Sequence, residues 1–365
     1  MSVDHIVMGS STGASSGGAA SGGTYVDDVF STYLYTGAGG SQTINNGINF
    51  ATYGGMIWCK PRNSTAAHVV IDTVRGGDSW LSTNNSAQAF PGTGNNQKIA
   101  FNTTGIVSDA VDGLNWSTSG ATFSTWSFRK APKFFDIVSY TGDGTSSKLL
   151  NHSLTVTPGM VLIKNTSVAS NWGVWHVNGR GGALDGALAL NLTDTPLTPS
   201  FSVSATTFRV YQGTTNFKMD PNVSGNNYIA YLFAHDTSAT SMVQCGAVAT
   251  NASGAITATT LGWEPQFILI KNITSAWDWE IHDVMRGWSI ATNTNAIANA
   301  IKPNLTSTEG SGNTAFTMTP TGFYSNANFG ANQNYIYMAI RRPNKPPTSG
   351  TQVFNVSTWT QSGGL

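Results

Sequence analysis

The chain has 365 residues, 18 basic and 18 acidic side chains, and a charged fraction of 10%, far below the usual figure of about 25%. Gly, Ser, Thr and Asn fill the gap; Gly and Asn supply positive φ at tight turns and Thr suits strands, which is the composition of a turn-rich β protein. A net charge of zero with no basic run leaves no nucleic-acid footprint, and no uninterrupted apolar run exceeds about eight residues, too short to span a bilayer.

Met1 to Met8 has neither a basic n-region nor an apolar core of signal-peptide length. Residues 9–23 contain only Gly, Ser, Ala and Thr. Such a stretch cannot build a core, and residues 1–24 are expected to form a flexible docking arm with an r.m.s. span of roughly 20 Å.

From Tyr25 onward the chain repeats itself. An apolar run ending in lysine is followed by an Arg-Gly turn three times: Met56–Lys60 with Arg75-Gly76, Gly159–Asn165 with Arg180-Gly181, and Phe267–Asn272 with Arg286-Gly287. Lys60, Lys164 and Lys271 are 104 and 107 residues apart, and the three arginines 105 and 106. Tyr35 and Tyr140 open the first two units, and Trp126, Tyr231 and Tyr337 are aligned as their closing residues. A period near 105 residues means tandem whole units, since solenoid repeats run about 20–50. Each unit is long enough for a core of its own.

Within a unit the apolar runs are short and bounded by Gly/Asn/Thr clusters, as in Phe201–Ala205 and Phe316–Met318. Those are strand signals at sandwich spacing. Ala183–Leu192 comes closest to a helical pattern, and its Gly186 limits that to a turn or two. The reading is all-β: three tandem antiparallel β-sandwiches over 25–132, 133–238 and 239–342. The joints Arg129–Lys133 and His235–Ser241 are short enough to fix the units' orientation. A Pro-rich, basic linker and C-terminal extension occupy 343–365, with Val353–Val356 as an added strand or the start of a further segment.

The unit Met160–Asn165, Trp175 to Gly181 and Gly225–Phe233, with its counterparts, resembles the concanavalin A-like, laminin-G-like modules repeated in virion proteins of tailed phages of marine bacteria and cyanobacteria. Ala339–Pro343 and Val353-Phe354 also resemble that family's join to a further segment. The resemblance covers roughly residues 26 to 347. It implies a jelly-roll sandwich and a structural or receptor-facing, tail-fibre-like role. The first unit departs most, with Cys59-Lys60-Pro61 for Ile-Lys-Asn and Trp126-Ser127-Phe128 for the Tyr-Ile-Ala-Tyr ending.

Little in the sequence carries chemistry. The only glutamates are Glu264, Glu280 and Glu309, whereas glycoside hydrolysis needs two carboxylates across the scissile bond. The one cluster is Trp277–Asp283, where a strand would put Asp278, Glu280 and His282 on one face; the second unit is aligned there as Val174, His176 and Asn178. A solvated strand face is the expected reading. His68, His176 and His282 have no second His or Cys at ligand spacing, so no metal is expected, and Asp143 reads as a turn residue. No cofactor is expected. Cys59 and Cys245 are expected as buried free thiols. Arg75, Arg180 and Arg286 are expected to be pinned to their own fold, with Asp72 and Asp283 three residues before as partners. Trp58 aligns with Leu162 and Leu269 and marks core. Trp80, Trp116, Trp172, Trp277 and Trp288 have no match across the units, and unmatched aromatics are where sugar stacking or subunit contacts are built. Trp80, Trp172, Trp277 and Trp288 are therefore the weak ligand-binding candidates.

The function expected from this is that of a non-enzymatic virion structural protein, tail-fibre or tail-associated, assembled in the host cytoplasm. Its partners would be other virion subunits through residues 1–24, further copies of itself (a trimer by fibre analogy) and a host surface glycan. A capsid decoration protein, a carbohydrate-binding adhesin and a glycan-degrading enzyme are the alternatives, in that order.

Overall fold

Every repeat begins and ends on the same pair of strands. The opening strands Phe30–Thr36, Phe135–Thr141 and Val243–Ala249 run antiparallel to the closing strands Thr122–Arg129, Asn227–Ala234 and Asn334–Arg341. Each closing strand pairs with a lysine strand, Gly55–Pro61, Pro158–Asn165 or Pro265–Asn272. Each lysine strand pairs in turn with an outer strand, Val69–Asp72, Trp172–His176 or Trp279–Asp283. The computed structural model describes residues 24–91, 99–108, 116–180, 185–198, 201–213, 217–288, 299–311, 316–326 and 329–344. Residues 1–23 of the expected arm, Gly181, and residues 345–365 of the extension lie outside the described residues.

The order opening–closing–lysine–outer recurs in three large sheets of six, five and four strands. Each is accompanied by a three-stranded sheet: Gln42–Ile44, Ile106–Ser108 and Ile99–Phe101; Ser147–Asn151, Thr207–Tyr211 and Phe201–Val203; Thr259–Thr260, Gly322–Ser325 and Phe316–Thr319. The chain is all-β with antiparallel sheets and β-sandwich character. The lysine strands are buried along their whole length, which is why they read as unbroken apolar runs and not as alternating ones. Ala183–Leu192 contains a strand, Gly186–Ala189, and no helix in its described part; backbone pairing with the outer strand overrides a weak local pattern. No helix of the described residues is long and apolar enough to cross a membrane.

Pairing register fixes which residues correspond, and it corrects one alignment. Trp58 faces Trp126, Leu162 faces Tyr231 and Leu269 faces Met338. The third counterpart of Trp126 and Tyr231 is therefore Met338, not Tyr337. A slip of one residue exchanges the two faces of a strand. Met338 looks inward with Tyr231 and Trp126, and Tyr337 packs with Phe323 inside the third repeat.

The large sheets meet back to back. Phe30, Phe135 and Val243, Phe128, Phe233 and Ile340, and Met56, Met160 and Phe267 occupy three sets of matched positions, all buried in one cluster that spans the repeats. Phe128 lies 5.5 Å from Phe233 and 6.2 Å from Phe267, ring centre to ring centre. Burying each such side chain contributes roughly 1.5–3 kcal/mol, so the repeats share a core as well as holding their own. Residues of the third and first repeats also form two separate buried clusters of their own.

Candidate functional site

Where the large sheets meet, the apolar centre is surrounded by polar side chains at matched positions. The last residue of each outer strand faces the next repeat: Asp72 lies opposite Met56, His176 opposite Met160 and Asp283 opposite Phe267. Between repeats 1 and 2, the Tyr231 hydroxyl donates to Asp72 Oδ2 at 2.7 Å. Between repeats 3 and 1, Trp126 Nε1 donates to Asp283 Oδ2 at 2.9 Å. Between repeats 2 and 3, His176 Nε2 donates to the Tyr337 carbonyl at 3.1 Å. Each repeat contacts the next and the third returns to the first, so the contacts close a ring.

A second matched set lies four residues back along the chain from these positions. Trp172 Nε1 donates to Ser82 O at 2.7 Å and Trp279 Nε1 to Ala189 O at 2.9 Å, while His68 Nε2 meets Lys302 O at 3.0 Å. The backbone N–H groups of the same three residues donate to Asn84, Asn191 and Asn304. His68, Trp172 and Trp279 are thus one position in two chemical forms, an imidazole once and an indole twice. The lysines follow the same plan, with Lys164 Nζ on Ser86 O and Ser170 O, and Lys271 Nζ on Thr193 O, Asn272 O and Trp277 O. Lys60 Nζ stays within its repeat on Pro61 O and Ser64 O.

Two of the three seams are ionic. Arg75 Nε reaches Asp72 Oδ2 and Arg286 Nε reaches Asp283 Oδ2, both at 2.6 Å, with each aspartate also accepting its arginine's backbone N–H. The turns then close through glycine, Gly76 at φ 86° and Gly287 at φ 100°, a region that other residues enter only with strain. In repeat 2, where His176 replaces the aspartate, Arg180 swings outward to Asp185 O and Thr198. The expected pinning of the arginines holds at Arg75 and Arg286 by the expected aspartates, and at Arg180 by other groups. Seam 3–1 adds the pair Arg62–Glu309 at 2.7 Å.

Burial sets the protonation states. It lowers His176 to about 4 and His68 well below its usual value, so both are neutral at pH 7. Burial pushes the Tyr231 hydroxyl well above the phenol range, which keeps it a donor. It lowers Lys60, Lys164 and Lys271 to about 8. Cys59 and Cys245 are free and buried, Cys59 pushed up to about 12 by burial and Cys245 further in the same direction.

The four candidate tryptophans do not come together. Trp172, 1% exposed, is matched to Trp279 and seals seam 1–2; it is not an unmatched loop aromatic. Trp288, 2% exposed, belongs to the interior of the third repeat. Trp80 is half-buried and stacked on Phe90 with ring centres 3.9 Å apart. Only Trp277, 43% exposed, faces solvent, beside Tyr335, Asp278, Glu280 and Asn272. The recess they line offers about 20 Å³, room for one water.

In the strand beside it, Glu280 and His282 share a face and are 3.0 Å apart. Asp278 precedes that strand and is held by Lys302 and Asn304. The matching residues in repeat 2 are Gly173 and Trp175, and in repeat 1 Val69 and Ile71. The alignment of Asp278, Glu280 and His282 to Val174, His176 and Asn178 is therefore three residues out, an odd shift that again exchanges faces. Asp143 is a turn residue that accepts from Thr145 and Asn222. Among the described residues, no group of three or more His, Cys, Asp or Glu is placed to hold a metal ion.

Residues 26–343 match a family described as a domain of unknown function, DUF7483, and the chain belongs to that family. No curated protein and no solved structure matches the chain.

Proposed function

We propose that this member of the DUF7483 family is a non-enzymatic structural protein of a virion, tail-fibre or tail-associated. It consists of three tandem jelly-roll sandwiches, attached to the particle by residues 1–24. The virion context rests on the resemblance of the repeat unit. The observation that carries the attachment is local: Asn344 Oδ1 accepts from Val26 N and Asn344 N donates to Asp27 Oδ2. The two ends of the described residues, at Val26-Asp27 and Asn344, therefore lie side by side. A body whose repeats are locked by shared core and seam hydrogen bonds suits a load-bearing appendage.

The test is mass spectrometry of gradient-purified particles together with a variant lacking residues 2–24. The chain is expected at stoichiometric copy number, and the truncated chain is expected to fold and stay unincorporated. Absence of the chain from purified particles, or normal incorporation of the truncated one, sinks the reading. Labelling its position in the particle separates tail from capsid decoration. Light scattering decides whether the 38.5 kDa chain assembles further into the trimer of the fibre analogy.

A second reading is favoured by one side chain, the solvent-facing Trp277 with carboxylate neighbours Asp278 and Glu280. It is a host-glycan adhesin built on the third repeat. A glycan array with Trp277→Ala decides it: no binding by the parent, or binding that the variant keeps, removes it.

A further inference from the structure

Where its two counterparts carry a buried aspartate–arginine pair, the seam between repeats 2 and 3 carries a neutral histidine, which makes that position sensitive to acid. At seams 1–2 and 3–1 the matched position is an aspartate held by an arginine. At seam 2–3 it is His176, with both ring nitrogens committed. Nδ1 accepts from Asn178 N at 3.1 Å, so Nε2 carries the proton that meets the Tyr337 carbonyl. A second proton has only Nδ1 to go to, where it would confront an N–H.

No carboxylate is hydrogen-bonded to His176 among the described residues. The titratable groups around it are His235 with Asp236 beyond it on the joint, and Cys245 and Tyr337 of the third repeat. The Arg180–Asp185 pair lies past its own turn. His235 raises the cost of a charge on His176, and the Tyr337 ring turns away toward Gly246.

The seam is also closely fitted. A Cβ on Gly159 would come within 2.6 Å of Cys245 Cβ and 2.7 Å of His235 Cβ. Cys245 itself is 2% exposed and packs in the shared core. At seam 1–2, Ala89 N donates to Thr166 O, and at seam 3–1, Glu309 N donates to Arg62 O. The matched residue at seam 2–3 is Pro196, which has no N–H to donate.

We infer that the seam between repeats 2 and 3 is an acid-operated gate, opened by protonation of His176 and uncovering the thiol of Cys245. The device goes beyond the virion reading and does not depend on it. The two cysteines make it directly testable in the intact chain, because Cys59 lies inside the first repeat's own core and reports only on wider unfolding.

The experiment is labelling with a dithiodipyridine reagent, which attacks thiols in acid, with each site quantified by peptide mass spectrometry and normalised to free cysteine. Between pH 7 and 4.5 Cys245 is expected to react on the order of 50-fold faster. That factor follows from a proton site at about 4 in the closed seam and about 6.5 in the open one. Cys59 stays protected. In His176→Gln the acid acceleration is lost, and in His235→Gln it persists. The gate is refuted if Cys245 stays protected at pH 4.5 or if both thiols appear together. It is equally refuted if His176→Gln keeps the acceleration or His235→Gln abolishes it. Should His176→Gln not fold, the parent's Cys245-to-Cys59 ratio and the His235→Gln variant still decide.

Discussion

Seam 1–2 and seam 2–3 use one backbone plan with different chemistry. At the first, Asp72, Arg75 and Tyr231 form a buried ionic triad in which every oxygen of the carboxylate has a donor. At the second, a neutral imidazole bridges to a carbonyl and the arginine has left for the surface. The triad is strong only while complete, since an ion left alone in a protein interior costs several kcal/mol. The imidazole contact is weaker but leaves no charge behind when broken. Matched geometry therefore says where the repeats touch; the side chain at that place says under what conditions they let go.

The largest effect should come from breaking an ionic seam. Asp283→Ala leaves Arg286 fully buried beside Trp126 with its nearest anion gone; only Glu309 remains on it. The expected loss is about 3–5 kcal/mol in chemical denaturation. Asp72→Ala should cost less, because Arg75 retains some access to solvent. His176→Ala removes two neutral hydrogen bonds and some packing, for about 1–3 kcal/mol. Equal losses for Asp283→Ala and His176→Ala would erase the distinction between the seams.

How far could the sequence alone lead? The repeat, the all-β class, the buried cysteines and the Asp–Arg pairs at 72–75 and 283–286 were legible, because a strand lysine and Arg-Gly recur at near-constant spacing. Register was not. Spacings of 104 to 107 residues leave an ambiguity of up to three residues, and an aromatic at 337 drew the alignment away from Met338 although the inward face belongs to the methionine. The seams were hidden for a different reason. His68 breaks the residue type that Trp172 and Trp279 share, and the acceptors Ser82 O, Ala189 O and Lys302 O are backbone atoms that leave no trace in composition. Asn84, Asn191 and Asn304, which hold the backbone of those three residues, were the available signal.

Acid should sharpen the comparison next. The unfolded chain binds a proton on histidine near pH 6.5, while folded His176 resists until about 4. Between those values the unfolded state holds more protons, so stability falls as pH falls through the window. For His176 alone, the difference between 6.5 and about 4 amounts to on the order of 3 kcal/mol. His68, shifted in the same direction, adds to the loss at seam 3–1. The buried lysines act at the other end. Folded values of about 8 against an unfolded value near 10.5 raise stability as pH climbs above 8, until the buried thiols begin to oppose it. Unfolding free energies at pH 4.5, 7 and 8.5 should rise in that order for the parent. The step from 4.5 to 7 should shrink in His176→Gln and stay unchanged in Lys164→Met.

The smallest effect tests whether the ionic seam has spare contacts. The Tyr231 hydroxyl donates to Asp72 Oδ2 and accepts from Arg75 at 3.3 Å. In Tyr231→Phe, Oδ2 still holds Arg75 Nε, and Oδ1 still holds the backbone N–H groups of Val74 and Arg75. The ring keeps its place between Phe135 and Trp172, so no charge is stranded and no cavity forms. The expected loss is about 0.5–1.5 kcal/mol, with an unchanged denaturant slope, because the surface exposed on unfolding is the same. A loss near that of Asp283→Ala would mean that the hydroxyl is an essential third member of the ion pair. Seam 1–2 would then be as dependent on a single proton donor as seam 2–3.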